Sequence, residues 1–444
     1  MKCRKIVKLS RKVFWAYGLP VSSVATNVLI LPLLALYWTA EHLSIWIVFM
    51  TLIGLVQMVE AALHPNIMRN CKFILNGDGK VFKEGYGVEK DYVSCNEISF
   101  HTSVSLLYRK YAQKLMLLIV PVGGAIVAWS TESANLFALL FAWVLMFFPI
   151  FLSMQISYGT AYVMANDDIT TVNKITVMGR FIFCILTLFG LYFEANIQIV
   201  ALIYSMCILS TKIYINLYSP LKYIHTSRAN AENIRAVGST LNHNTKKLVI
   251  NNIFSFLIQR GSILLATFVL GASDAASFNL SVSVVVALSA VSQSWMSYNV
   301  PKLVQLRMKD KHAEIKDLMM NILKFSTLIY VLLCFFLILI TKLSEIYIFD
   351  NFKLVSVPLM IFMMTVYGLE LNHSIAAIFL TTANRVPFVR STIITGTIAL
   401  VLGLVFSKHI GVWGISIGLG LSQLAYNNWK WPYEMYKEFS SWKD

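Results

Sequence analysis

Residues 248–270, LVINNIFSFLIQRGSILLATFVL, decide how the rest of the chain is read. At about 1.5 Å per residue a bilayer core of roughly 30 Å needs about 20 apolar residues, and this run supplies them. Arg260 sits near its middle. The segment cannot be redrawn to leave it out, because only about 11 apolar residues follow, too few to cross hydrocarbon. A guanidinium at that depth costs at least about 2.5 kcal/mol to insert, so it faces a protein interior or a wet cavity and marks a substrate path. The other reading is a structural partner for a carboxylate on a second helix.

The composition agrees with a membrane protein. Of 444 residues, 57% are hydrophobic and 13% charged, and the mean hydropathy is +0.66, outside the range of soluble chains. Lys2, Arg4, Lys5, Lys8, Arg11 and Lys12 precede an apolar run that reaches about Trp38 without an A-x-A site. That run is too long for a signal peptide and predicts a retained first helix with its N-terminus inside. The cysteines, Cys3, Cys71, Cys95, Cys184, Cys207 and Cys334, fall in helices or inside connections, leaving none for an extracytoplasmic disulfide. No Cys/His spacing suggests a metal, and no cofactor is expected.

Hydropathy predicts an all-α integral membrane protein of about twelve spans: 13–37, 43–63, 115–130, 135–160, 177–193, 197–217, 248–270, 276–298, 321–341, 354–381, 391–407 and 411–429. Both termini then lie on one side. Lys and Arg number 31 in the would-be cytoplasmic segments, counting Lys324 at the inner edge of its span, against three outside (Lys342, Lys353, Lys408). This bias sets a cytoplasmic N-terminus and accounts for the +15 net charge without a nucleic-acid partner. The outside loops are too short for a catalytic domain. Two inside connections are long, 64–114 and 218–247.

The second connection reads as a linker between an N-terminal six-helix lobe, 1–217, and a C-terminal one, 248–444. An offset of 233 residues places Asn27 on Arg260, Glu41 on Asp274, Ser44 on Ser277 and Arg69 on Lys302. Two parallel repeats would put substrate near the midplane, in a central cavity between lobes. Pro20, Pro32, Pro121 and Pro149 lie inside spans, as bends that serve rocking or as static kinks. Gly414-x-x-x-Gly418 reads as a close helix–helix contact.

The other charges within spans divide by depth. Arg180 and Lys212 lie near the inner ends of theirs and can reach the interface or a substrate; Glu60 and Glu194 lie at span ends, where charge is cheap. Glu370 is central in its span, and His373 lies three residues on, sharing its face. The two can carry a proton or hydrogen-bond each other, and Glu370 can equally pair with Arg260.

Residues 31–70 (LPLLALYWTAEHLSIWIVFMTLIGLVQMVEAALHPNIMRN), 368–389 (GLELNHSIAAIFLTTANRVPFV) and 411–438 (GVWGISIGLGLSQLAYNNWKWPYEMYKE) resemble the polysaccharide or O-antigen unit flippases (Wzx type) of the multidrug/oligosaccharidyl-lipid/polysaccharide exporter superfamily. The chain departs where many members have Asp-Phe-Gly and it has Glu60-Ala61-Ala62, and where an Arg is replaced by Leu36 after Ala35. The resemblance implies a flippase with a cationic central cavity, moving an undecaprenyl-diphosphate-linked oligosaccharide across the bacterial inner membrane, with other polysaccharide-assembly proteins as further partners. Arg260, Asn27, Arg180 and Lys212 are then candidate substrate ligands, Arg260 because a guanidinium matches a diphosphate bidentately. An exporter of cationic drugs would present acid instead, and the first 40 residues contain none. A glycan polymerase or ligase would carry a large outside loop, and this chain has none.

Overall fold

The computed structural model describes residues 15, 18, 19, 22, 26, 29–31, 33, 34, 36–75, 77, 79–82, 92–130, 136–166, 168–220, 231–308, 310–346, 354–383 and 387–442. Helices dominate: α1 (Ala40–Leu75), α2 (Glu97–Ser130), α3 (Leu136–Gln155), α4 (Tyr158–Ala165), α5 (Ile169–Tyr192), α6 (Ile197–Leu217), α7 (Ala231–Val269), α8 (Ala272–Met308), α9 (His312–Ile346), α10 (Val357–Thr381), α11 (Val389–Ile410), α12 (Val412–Leu424) and α13 (Asn427–Ser441). Among the described residues ten helices are long and apolar enough to cross a membrane, and they match the second to eleventh expected spans. The first span lies mostly outside the described residues, as do Asn27, Pro20 and Pro32; its described residues are helical as far as Tyr37. The twelfth is interrupted: α12 has 13 residues, and the helix stops at Ala425–Tyr426 before α13 resumes. The helices expose large apolar side chains, among them Phe137 (84%), Leu117 (79%) and Phe189 (64%), which in a multi-pass membrane protein face lipid.

The chain forms two compact units, one of residues 1–22 and 49–253, the other of 23–48 and 254–444. In the first, side-chain caps start two spans: Asp168 accepts from the Thr171 amide at 3.1 Å, and Asn196 from the Ile199 amide at 3.2 Å, each satisfying an orphan N–H of a helix start. Pro121 and Pro149 lie within unbroken α2 and α3. Gly123 makes room for Trp143, whose ring would stand 2.5 Å from an added Cβ and whose indole N–H donates to the Val120 carbonyl at 3.1 Å.

The two long connections that the sequence places inside are more structured than their polarity suggests. The connection 64–114 is the last turns of α1, an antiparallel hairpin of β1 (Lys80–Phe82) and β2 (Tyr92–Ser94), and the first half of α2. Of the connection 218–247, residues 221–230 lie outside the described residues and the rest is the start of α7. Buried polar groups join these extensions. Asn66 donates to the Leu241 carbonyl (2.8 Å) and Thr245 hydroxyl (3.1 Å), Ser103 to the Ile234 carbonyl (2.9 Å), and the Tyr111 hydroxyl to Asn242 (2.9 Å). Phe100, Val104, Tyr108, Val237 and Leu241 of these extensions are buried.

In the second unit α11 and α12 form a tight antiparallel pair turned by Gly411 (φ 56°). A Cβ on Gly414 would meet the Phe406 carbonyl carbon at 2.3 Å, and one on Gly418 the Gly403 nitrogen at 2.4 Å. Backbone meets backbone there, so the small-residue spacing is the close contact expected of it.

Candidate functional site

Two buried polar clusters hold charged groups, one in each unit, and the first includes Glu60 and Lys212, which the sequence placed near span ends and the structure buries as a pair. In the first unit Glu60 projects from α1 and takes the Lys212 ammonium from α6 as an ion-pair partner, both side chains being well buried (9% and 17% exposed). The Ser157 hydroxyl donates to the same carboxylate oxygen, and His64 Nε2, one turn along α1, stands 3.6 Å from it. The rings of Tyr108, Tyr158, Tyr162 and His101 pack alongside. A charged pair removed from water stays charged only when the geometry is close and further hydrogen bonds satisfy it, and Ser157 supplies one. Arg180 donates to the Leu19 carbonyl and, at 3.0 Å, to the Ser22 hydroxyl. The two candidate ligands of this unit thus each have partners inside it.

The second cluster gathers α7, α10, α12 and α13. Glu370 is 6% exposed, and its carboxylate accepts from Gln423 Nε2 at 3.0 Å, with the Gln259 side chain against the same group. Among the described residues no ion pair joins it to a cation, and two amides stand against it where a pairing with Arg260 was one of the sequence's alternatives. The Tyr367 hydroxyl, one turn back on α10, donates to the Gln259 carbonyl at 3.0 Å. Arg260, half-buried, acts electrostatically on that tyrosine. His373 shares the face of Glu370 but turns to a different partner: its Nδ1 is 2.7 Å from Asn428 Oδ1 on α13. The break at Ala425–Tyr426 therefore separates Gln423, which serves Glu370, from Asn428, which serves His373.

The structure brings Arg260, Glu370 and His373 into one unit and places Arg180 and Lys212 in the other; Asn27 lies outside the described residues. Sequence reasoning missed Gln259, Gln423, Asn428 and Ser157, neutral residues that no hydropathy window marks. Its one usable signal was position: Gln259 adjoins Arg260.

No family model and no curated protein sequence matches the chain. Solved structures do. An inward-facing multidrug resistance MATE family transporter of the MOP superfamily aligns over 96% of this chain and 98% of its own at a TM-score of 0.66 and 10% identity. The lipid II flippase MurJ, in an inward closed conformation, aligns over 99% and 94% at 0.66 and 10%. A Vibrio cholerae MATE transporter, VcmN, aligns over 98% and 97% at 0.61 and 12%. The chain has the fold of these membrane transporters. At such identity the likeness extends to the path of the backbone and leaves the chemistry to the side chains.

Proposed function

We propose that this protein is a flippase rather than an enzyme, moving an undecaprenyl-diphosphate-linked oligosaccharide from the inner to the outer leaflet of the bacterial inner membrane by alternating access, for O-antigen or another surface polysaccharide. The observation that carries the reading is a guanidinium near the middle of the apolar run 248–270 of α7, with no acid from 233 to 273, in a fold shared with a lipid II flippase. A planar cation with five donors complements a diphosphate, and the cost of holding it at that depth is met by a function. Glu370, solvated by amides, is assigned to coupling, with His373 beside it. Export of a cationic drug fits less well, since the cation at depth would repel it.

Accumulation of lipid-linked oligosaccharide on the cytoplasmic leaflet tests the reading. Arg260→Ala should abolish or greatly reduce export while protein abundance holds, and Arg260→Lys should keep part of it, because Lys retains the charge without the fork. If Arg260→Ala combined with Glu370→Ala restored both abundance and export, substrate binding by Arg260 would be refuted.

A further inference from the structure

The cytoplasmic extensions of α2 and α7 form a feature that transport of the glycan does not require. The two helices run parallel with one register: Ser103 meets Ile234 and Tyr111 meets Asn242, each pair 131 residues apart. That register puts Lys114 beside position 245, level with Lys246. On α2, Lys110 and Lys114 flank Tyr111 within the stripe that faces α7; on α7, Lys246 stands one turn above Asn242 on the same face. All three lysines are exposed, while Leu107 (5%) closes the bottom of the groove between the helices. No acid occurs from 98 to 130 or from 233 to 273, so nothing on either helix neutralises the rim. Immediately above Lys114 the exposed face of α2 turns apolar, with Leu117 79% and Leu118 55% exposed. Those leucines belong in hydrocarbon, and the lysines one to two turns below them therefore stand at the level of lipid headgroups.

We propose that the groove between α2 and α7, rimmed by Lys110, Lys114 and Lys246, binds the phosphate of an anionic glycerophospholipid of the inner leaflet. Three ammonium groups within about one and a half turns, Lys114 level with Lys246 and Lys110 one turn below, offer up to nine donors to phosphate oxygens. The Tyr111 hydroxyl and Asn242 amide lie at the floor, in reach of a headgroup hydroxyl. Basic grooves between helices on the cytoplasmic side hold anionic headgroups for this reason, each cation near the surface contributing to affinity. The site stands apart from Arg260, and its lipid is a resident ligand rather than cargo.

Native mass spectrometry of the full chain in detergent, titrated with phosphatidylglycerol or phosphatidylcholine, tests the site. Phosphatidylglycerol should remain bound at collision energies that strip phosphatidylcholine. In Lys110→Gln/Lys114→Gln/Lys246→Gln its affinity should fall about ten- to a hundred-fold, from the loss of three surface cations. Lys302→Gln/Lys316→Gln/Lys324→Gln removes the same charge from exposed positions elsewhere and should leave affinity within about two-fold. Equal retention of the two lipids, an equal loss in the charge-matched control, or full displacement by free pyrophosphate at equimolar concentration would each overturn the assignment. Should the first triple variant fold poorly, Lys114→Gln alone, scored for an about five-fold loss, decides the question in the same way.

Discussion

Removing the ammonium from the Glu60–Lys212 pair separates a structural pair from a substrate ligand. In Lys212→Met the aliphatic stem survives and the charge goes, leaving a carboxylate that is 9% exposed with the Ser157 hydroxyl and the more distant His64 imidazole as company. Breaking one partner out of a buried pair costs about 3–5 kcal/mol, because the remaining charge keeps its desolvation penalty without its compensation. The unit concerned, residues 1–22 and 49–253, is a little over two hundred residues, and in that size class each kcal/mol shifts the midpoint by about 2–4 °C. Thermal unfolding of purified protein, followed by tryptophan fluorescence, should therefore fall by about 6–20 °C in Lys212→Met. The double variant Glu60→Gln/Lys212→Met replaces the pair with an amide and an apolar chain of similar volume and should recover most of that loss. A substrate ligand behaves otherwise: Lys212→Met would leave the midpoint within about 1 °C while export fell. That outcome, or a double variant no more stable than the single, would refute the structural account.

The remaining predictions address packing, topology and coupling. Gly418→Ala places a Cβ 2.4 Å from the Gly403 nitrogen, a backbone atom that cannot step aside, so it should cost at least about 1–3 kcal/mol and lower abundance on membranes, whereas Gly238→Ala, with open space around it, should not. In a cysteine-free background, cysteines at Thr39, Glu194 and Asp274, all exposed, should react with an impermeant thiol reagent from outside, and ones at Lys72 and Glu232 should not; labelling of the last two in sealed cells would invert the topology. Ser44, expected on the same side, is 4% exposed and would report nothing. Glu370→Gln keeps an acceptor for Gln423, so abundance should hold while transport falls and loses its dependence on pH; an unchanged pH profile would remove Glu370 from coupling.

The spans were legible because a run of about 20 apolar residues has few alternatives in a chain of this composition. The helical extensions beyond the spans were hidden for the converse reason. From 97 to 114 and from 231 to 247 the mean polarity reads as loop, yet Phe100, Ser103, Val104, Leu107 and Tyr108 recur at helical spacing, as do Val237, Leu241 and Thr245. A window that averages hydropathy discards that period. The interruption at Ala425–Tyr426 was equally invisible, since Ala and Tyr do not break helices and the polar pair Asn427–Asn428 passes for a span end. Within the site, charge could be found and partnership could not: Glu60 and Lys212 are 152 positions apart, and nothing local says that one faces the other. Arg260 and Glu370 looked like natural partners for lack of other charges at depth, and only the fold brings up the two glutamines that take the carboxylate instead.

The two clusters differ in what a change of protonation would do. Protonating Glu60 would strand the Lys212 ammonium in a buried setting, so that carboxylate is tied to its charge by its partner. Glu370 has no such tie. Gln423 donates its Nε2 to the carboxylate while its own Oε1 is buried without a partner among the described residues. A side-chain amide carries donor and acceptor at one end, and rotating it by half a turn presents oxygen where nitrogen stood. The same residue can then donate to a carboxylate or accept from a carboxylic acid, so that Glu370 keeps a partner in either state. A carboxyl group solvated by amides can exchange a proton at small structural cost, whereas one held by an ammonium cannot. That is the physical ground for assigning coupling to Glu370 and architecture to Glu60. Gln423→Leu, which removes both the donor and the acceptor, should therefore alter the pH dependence of transport in the same direction as Glu370→Gln, though Gln423 itself does not titrate.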